Sequence, residues 1–492
     1  MDLDDPVLET ARASLGITYL YPYQRLVVAN TIDAGEENRA QVVVLPTGSG
    51  KTLCFTVPML LLDGLTVVVY PLLALMDDQF RRMRSGGITA GILRGGQSAG
   101  ERAGTLRAAA AGKVRCLLAN PEVLAGEQVR QALSRTTVAH LVIDEAHCVS
   151  EWGSTFRPSY LTLAETIRLI RPRVVTAFTA TASPTVLESL CTILFGSRRP
   201  HLILGNPDRP NISYAAAYAG SKEAALHCLL GSGVQQPAIV FCRSRKRCEE
   251  VAREIATVVG FENCSAYHAG LTPSERTSIE RWFFEARTGV LAATCAYGMG
   301  VDKPDIRTVI HYEPPSSVEA FLQESGRAGR DGSPASSILL WNDADRPMER
   351  EPVRAARERI MHGYLTTNRC RRAYLMDALA AEGFSCFGCD RCGCGPEQDA
   401  LGRWANEADD ATDEVVRVAR RWPRVYTPRQ LAAELQTRWS EQARIEFIAG
   451  LIRTGSLRIH RRGPWRGRVA AALPVRGERA GYRGNLHRTG TI

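Results

Sequence analysis

The sequence predicts an α/β protein: two tandem doubly wound parallel-sheet domains, then a helical cysteine-bearing module, then a C-terminal segment of helices and a hairpin. Three observations carry this. Between residues 40 and 345, nine short apolar runs, most of them β-branched (41–46, 66–70, 115–119, 140–144, 174–179, 238–242, 289–294, 308–312 and 336–341), alternate with helix-length stretches. Continuous apolar runs spaced by helices mark strands buried on both faces of a parallel sheet. The alternation is interrupted once, at Gly205-Asn206-Pro207-Asp208-Arg209-Pro210-Asn211, a turn-forming connector that divides it in two. Beyond 346 the strand pattern gives way to helical stretches 353–365 and 370–382 and a cysteine cluster. The expected boundaries are 1–207, 208–348, 349–400 and 401–492.

At 492 residues the chain has room for three or four domains, and 45% apolar content is ordinary for cores that fold without covalent staples. The stretch 57–76 is broken by Pro58, Asp63, Gly64 and Pro71, which leaves no run of about 20 apolar residues to cross a bilayer. The acidic start, Met1-Asp2-Leu3-Asp4-Asp5, has no apolar run behind it and is unlike a secretory signal, so a soluble, cytoplasmic protein is expected. The 61 Lys and Arg exceed the 52 Asp and Glu by a formal +9. Residues 401–492 hold 18 Arg, no Lys and 9 acidic residues, so the whole excess sits there. Ten Arg against one acid between Arg453 and Arg488 suggest a nucleic-acid surface, since each neutralised phosphate releases counterions. A solvated basic tail has the same composition.

Run 41–46 leads into Thr47-Gly48-Ser49-Gly50-Lys51-Thr52 and a helix. Glycines permit a tight loop whose amides wrap phosphates, Lys51 reaches the β and γ phosphates, and the Thr52 hydroxyl ligates Mg²⁺. Run 140–144 ends in Asp144-Glu145-Ala146-His147. Asp144 is placed to hold Mg²⁺ through water, and Glu145 to orient and deprotonate the attacking water. The next segment, Cys148 to Pro158, offers Trp152 and Phe156 for base stacking and Arg157 for phosphate.

At this point the chain, over about residues 15 to 400, resembles superfamily 2 helicases of the RecQ family, whose two motor domains are RecA-like. Tyr21-Pro22-Tyr23-Gln24 is similar to the motif in which the Gln, here Gln24, reads the adenine edge. Val69 to Gln79 and Ala119-Asn120-Pro121-Glu122 resemble loops that hold single-stranded DNA. Phe178-Thr179-Ala180-Thr181-Ala182 resembles the motif linking hydrolysis to movement, and Glu151-Trp152-Gly153-Ser154-Thr155-Phe156-Arg157 the family's aromatic-rich loop. Thr294 to Lys303 resembles the motif coupling ATP to DNA, and Gln323 to Gly332 the last helicase motif. The resemblance implies ATP bound between the two domains and an arginine finger, Arg330 first and Arg327 second.

The cysteines up to Cys295 are scattered and read as small buried apolar groups; five fall between Cys370 and Cys394. Cys370 with Cys386, Cys389 and Cys392 suits a closed, structural Zn²⁺ site, with Cys394 as an alternative to Cys392. Iron–sulfur ligation uses similar spacing. Thr427-Pro428-Arg429-Gln430 is a helix start, and Ser440 begins another helix. Runs 457–460 and 469–473 flank a turn containing Trp465. Three short helices and this hairpin predict a winged-helix domain; the RecQ resemblance, in which a wing hairpin with an aromatic tip separates strands, implies Trp465 as the wedge, against a packing or solvent-exposed tip. The expected protein is an ATP- and Mg²⁺-dependent DNA helicase with a structural Zn²⁺, which moves on single-stranded DNA, by the RecQ resemblance 3′ to 5′, and unwinds forked DNA in repair or recombination. Its expected surroundings are nucleoid-associated, with single-stranded-DNA-binding protein or a larger repair or defence complex as partners. The rival expectation is a translocase or remodeller subunit of a DNA-modification or phage-defence system.

Overall fold

Apolar runs buried on both faces become the central strands of two parallel sheets. The computed structural model describes residues 5–33, 40–46, 48–71, 73–151, 158–297, 303–346, 352–393, 395, 398–462 and 464–472. It divides into a unit of Met1–Asp208 with Leu379–Glu382, and a unit of Arg209–Ala378 with Gly383–Ile492.

The first unit contains β1 (Ala40–Val44), β2 (Leu65–Val69), β3 (Ala90–Leu93), β4 (Cys116–Ala119), β5 (Val138–Ile143), β6 (Val174–Thr179) and β7 (His201–Leu204). All pair in parallel, in the order β3-β4-β2-β5-β6-β1-β7. Alternate residues serve opposite faces: Val42, Val67 and Leu141 enter one helix-covered core, and Val43, Val68 and Val142 the other. Because the strands run one way, the loops after β1, β5 and β6 emerge at one edge of the sheet.

The second unit contains β8 (Ile212–Tyr218), β9 (Ala238–Phe241), β10 (Cys264–Tyr267), β11 (Val290–Ala293), β12 (Thr308–His311) and β13 (Ala335–Trp341). They too are parallel, in the order β10-β11-β9-β12-β13-β8. The four strands absent from the sequence-based expectation, β3, β7, β8 and β10, are the four sheet edges. An edge strand needs less apolar cover: β7 buries only Ile203 of its four residues, and β10 only Tyr267. In β10 the continuous apolar run that marks a central strand is missing, and in β7 Leu202 and Leu204 stand exposed.

Helices Pro352–Thr366 and Arg371–Ala378 follow, the second ending earlier than the expected 382. The next helix, Gln398–Arg421, has 24 residues and corrects the expectation of three short helices. Its length follows from its stripe of Leu401, Trp404, Ala408, Ala411, Val415 and Ala419, which enters the same core as Leu226, Leu229 and Leu230 of helix Lys222–Gly231. The Trp404 indole donates to Tyr218 O at 3.2 Å and ties this helix to the end of β8. Helix Pro428–Glu434 starts at the expected capping box: Gln430 N donates to Thr427 Oγ1 at 3.3 Å and Thr427 N to Gln430 Oε1 at 3.0 Å. Ser440 Oγ caps helix Glu441–Arg453 through Ala443 N at 3.1 Å. An antiparallel pair, β14 (Leu457–Ile459) and β15 (Val469–Ala471), closes the described chain. Leu431, Phe447, Leu451, Leu457 and Val469 all belong to the core shared with the second sheet.

Candidate functional site

The loop after β1 turns through two glycines in the left-handed region, Gly48 at φ +86° and Gly50 at φ +78°, before Lys51 opens helix Lys51–Leu61. A side chain at either position would be strained. Gly50 is needed twice over, since a Cβ there would stand 2.6 Å from Gln24 Nε2. Gln24 is buried and engaged at both ends: Oε1 accepts from Tyr21 N and Nε2 donates to Ser49 O, each at 2.9 Å. The Tyr23 hydroxyl donates to the same carbonyl at 3.1 Å. In this placement Gln24 braces the loop. The helix N-terminus leaves free amides at the loop, and the buried Ser49 Oγ has no hydrogen-bond partner among the described residues. Both suit a phosphate. Thr52 follows with an exposed side chain; Thr47 lies outside the described residues.

Asp144 extends β5, its N donating to Val69 O at 3.0 Å. Glu145 then takes φ +49°, rare for a residue with a side chain, while its N donates to Asp144 Oδ1 at 3.0 Å. This turn brings the two carboxylates together. Burial, and next the Glu145 charge, push the Asp144 carboxyl up to about 6, against the pull of the Lys51 ammonium. Two adjacent carboxylates of this kind suit a divalent cation.

The tetrad is also wired to β6, a link that its His foreshadows but that sequence reasoning passed over. His147 Nδ1 lies 3.1 Å from Thr179 Oγ1, whose own proton goes to Thr181 O at 3.0 Å, so the imidazole must be the donor. Nδ1 also lies 3.4 Å from Glu145 Oε2. A second unforeseen group is the Tyr70 hydroxyl, buried without a hydrogen-bond partner among the described residues and raised far above its usual range by burial and then by Asp144. The stacking candidates Trp152, Phe156 and Arg157 lie outside the described residues.

In the second unit, helix Val318–Ser325 leads into the loop of the two arginines. Arg327 is 5% exposed and Arg330 half-buried. Gly329, at φ +55°, admits no Cβ, which would fall 2.4 Å from Asn211 Nδ2. Lys303 is a buried structural cation: Nζ donates to Phe284 O at 3.1 Å and Ala286 O at 2.8 Å and pairs with Asp305 at 2.8 Å.

Cys370, Cys386, Cys389 and Cys392 bring their sulfur atoms within 4.8 Å of one another, and Cys389 Sγ lies 3.9 Å from Cys370 Sγ. Tetrahedral zinc with Zn–S near 2.3 Å sets sulfurs about 3.8 Å apart, so four thiolates in this arrangement fit Zn²⁺. Cys394 lies outside the described residues. The knuckle docks on β8 by main-chain bonds, Tyr214 N to Gly388 O at 3.3 Å and Asp390 N to Tyr214 O at 3.2 Å.

Trp465 stands 48% exposed in the β14–β15 turn, which is closed by Gly467 N to His460 O at 2.8 Å. The structure adds Trp422, 50% exposed just after the long helix, with the Arg421 guanidinium 5.9 Å from its ring centroid. Among the described residues no helix is long and apolar enough to cross a membrane.

Residues 21–190 match the family described as DEAD/DEAH box helicase, and 221–332 match the helicase conserved C-terminal domain. The chain is 31% identical over 405 residues to ATP-dependent DNA helicase RecQ of Pasteurella multocida, covering 80% of this chain and 64% of that one. It is 37% identical over 317 residues to the probable ATP-dependent DNA helicase RecS of Bacillus subtilis, covering 63% of each. The chain thus spans just under two thirds of the length of these relatives. Among solved structures it is similar to the DUF1998 helicase MrfA bound to DNA, with TM-score 0.59, 20% identity, and 96% of this chain and 63% of that one covered. It is also similar to Mss116p bound to ssRNA and AMP-PNP, with TM-score 0.56, 17% identity, and coverage of 91% and 89%. These two likenesses bear on the fold alone.

Proposed function

The chain belongs to the RecQ family of superfamily 2 helicases, and from that premise we propose that it is an ATP-dependent DNA helicase that moves 3′ to 5′ on single-stranded DNA and unwinds forked duplexes. The observation that supports this most is that the phosphate loop after β1 and the Asp144–Glu145 turn after β5 emerge on the same side of one parallel sheet. The Gly48–Gly50 amides and Lys51 bind the phosphates, with Thr47 and Ser49 beside them, and Gln24 links the adenine side to the loop. Thr52 and Asp144 would hold Mg²⁺, which when bound neutralises charge on the β and γ phosphates. Glu145 orients the attacking water and takes its proton. Arg330, with Arg327 behind it, stabilises charge developing on the transferred phosphate. The Glu145–His147–Thr179 link couples that event to the loop after β6.

In this reading residues 1–207 and 208–348 are the two RecA-like motor domains, 349–400 a module stabilised by Zn²⁺ on Cys370, Cys386, Cys389 and Cys392, and 401–492 a winged-helix domain with an Arg-rich tail that grips duplex DNA. Trp152, Phe156 and Arg157 contact the single strand. Each base-pair step broken costs on average about 1.4 kcal/mol of stacking, so strand separation must be tightly coupled to hydrolysis. A forked duplex incubated with ATP, with each overhang polarity and with DNA against RNA, tests the proposal. Displacement confined to DNA with a 3′ overhang is expected; robust ATPase with no displacement would favour a remodeller.

Trp465 is the wedge in this scheme. Trp465→Ala is expected to abolish displacement while DNA-stimulated ATPase persists, because an exposed turn residue contributes little to folding. Unchanged displacement removes the wedge.

A further inference from the structure

The loop bearing Arg327 and Arg330 is held by residues that precede β8. The Arg209 guanidinium donates through Nη1 to Gly326 O at 3.1 Å and through Nη2 to Ala328 O at 3.2 Å and Gly329 O at 2.9 Å. The Asn211 amide adds Gly329 O at 2.8 Å and Ser333 O at 2.9 Å. These carbonyls lie just past the C-terminus of helix Val318–Ser325, where partial negative charge favours a cation. A planar guanidinium serving three acceptors holds its partners far more rigidly than a flexible ammonium does.

Arg209 is held in turn. Arg372, 0% exposed, donates to Arg209 O at 3.1 Å and to Ile212 O, and its guanidinium lies 5.1 Å from the Tyr214 ring centroid. Its neighbour Arg371, also 0% exposed, grips Asp390 of the cysteine knuckle with two bonds at 2.9 and 3.0 Å. Buried guanidinium groups are expensive unless fully engaged, so this chain of contacts resists displacement. Burial draws Arg209 below the ordinary arginine range, and Arg330 adds to that.

We propose that Arg209 is a positioning residue for ATP hydrolysis: held by Arg372 beside the cysteine module, it fixes the Gly326–Gly329 backbone so that Arg330 is presented to the transferred phosphate. The inference rests on the helicase reading above. It makes the cysteine module part of the motor's catalytic geometry as well as of its fold.

A misplacement of about 1 Å at a stabilising group costs about 10²-fold in rate. Arg209→Met keeps the stem and removes the donors, so kcat for DNA-stimulated ATP hydrolysis is expected to fall about 10²-fold, with KM for ATP and affinity for single-stranded DNA within about twofold of wild type. Arg209→Lys should recover only part of the rate. Arg209→Met combined with Arg330→Ala is expected to be no slower than Arg330→Ala alone, because both remove one contribution. Where melting shows that Arg209→Met does not fold, Asn211→Ala replaces it, with a smaller loss and the same non-additivity. Unchanged kcat in the variant used, or a double variant slower by the product of both single losses, overturns the positioning role. A wild-type protein without DNA-stimulated ATPase would overturn the helicase reading instead.

Discussion

Arg330→Ala is expected to lower the ATPase kcat by about 10³ to 10⁵, the loss that follows removal of an arginine finger. In this reading charge builds on the transferred phosphate only in the transition state, and Lys51 with the loop amides already serves the ground state. Nucleotide binding should therefore hardly change, which a fluorescent ATP analogue would measure. Arg327→Ala separates the two candidates. Arg327 is 5% exposed, so its truncation empties a buried position and should lower the melting temperature as well as the rate, whereas half-buried Arg330 should affect the rate alone. An Arg330→Ala enzyme within about tenfold of wild type would sink the finger assignment.

Cys389→Ser is expected to unfold residues 349–400 locally, seen as new proteolysis there and as loss of bound zinc. Cys389 is fully buried, its sulfur lies 3.9 Å from that of Cys370, and its neighbours Gly388 and Asp390 pair with Tyr214 of β8. Structural zinc contributes roughly 10 to 16 kcal/mol of apparent binding energy in small peptides, far more than a short helical module stores otherwise. Because Arg371 holds Asp390, loosening should spread to the start of β8. The wild-type protein should carry one zinc without visible absorbance. A brown protein, or a Cys389→Ser variant that keeps its zinc and its melting temperature, would refute the site.

Strands and motifs were legible to different degrees. The nine runs that formed central strands are short and apolar, most of them β-branched, and buried on both faces, so local composition revealed them. The edges β3, β7, β8 and β10 did not stand out: β7 and β10 bury one residue each, and β8 takes its outer cover from the distant cysteine knuckle. Gly48, Gly50, Lys51 and the Asp144 tetrad were readable because a phosphate loop and a strand-end carboxylate are set by a few adjacent residues. The His147–Thr179 bond and the Tyr70 hydroxyl were not, because each depends on which strands lie side by side. Trp404 showed the same limit: its helical stripe was apolar, but nothing local named Tyr218 as its partner or extended the helix to 24 residues.

By itself the sequence determined that the chain is a two-sheet α/β protein that resembles RecQ helicases, with a phosphate loop, a paired carboxylate and a four-cysteine cluster. These are short-range patterns of residue type and spacing, and backbone chemistry at each is nearly self-contained. Only the tertiary structure decided that four particular sulfurs converge, that the C-terminal helices complete the core of the second sheet, and that Arg372 and Arg209 tie the cysteine module to the arginine loop. Those outcomes join residues far apart in the chain, where burial and hydrogen-bond satisfaction select the partner and no local period records it.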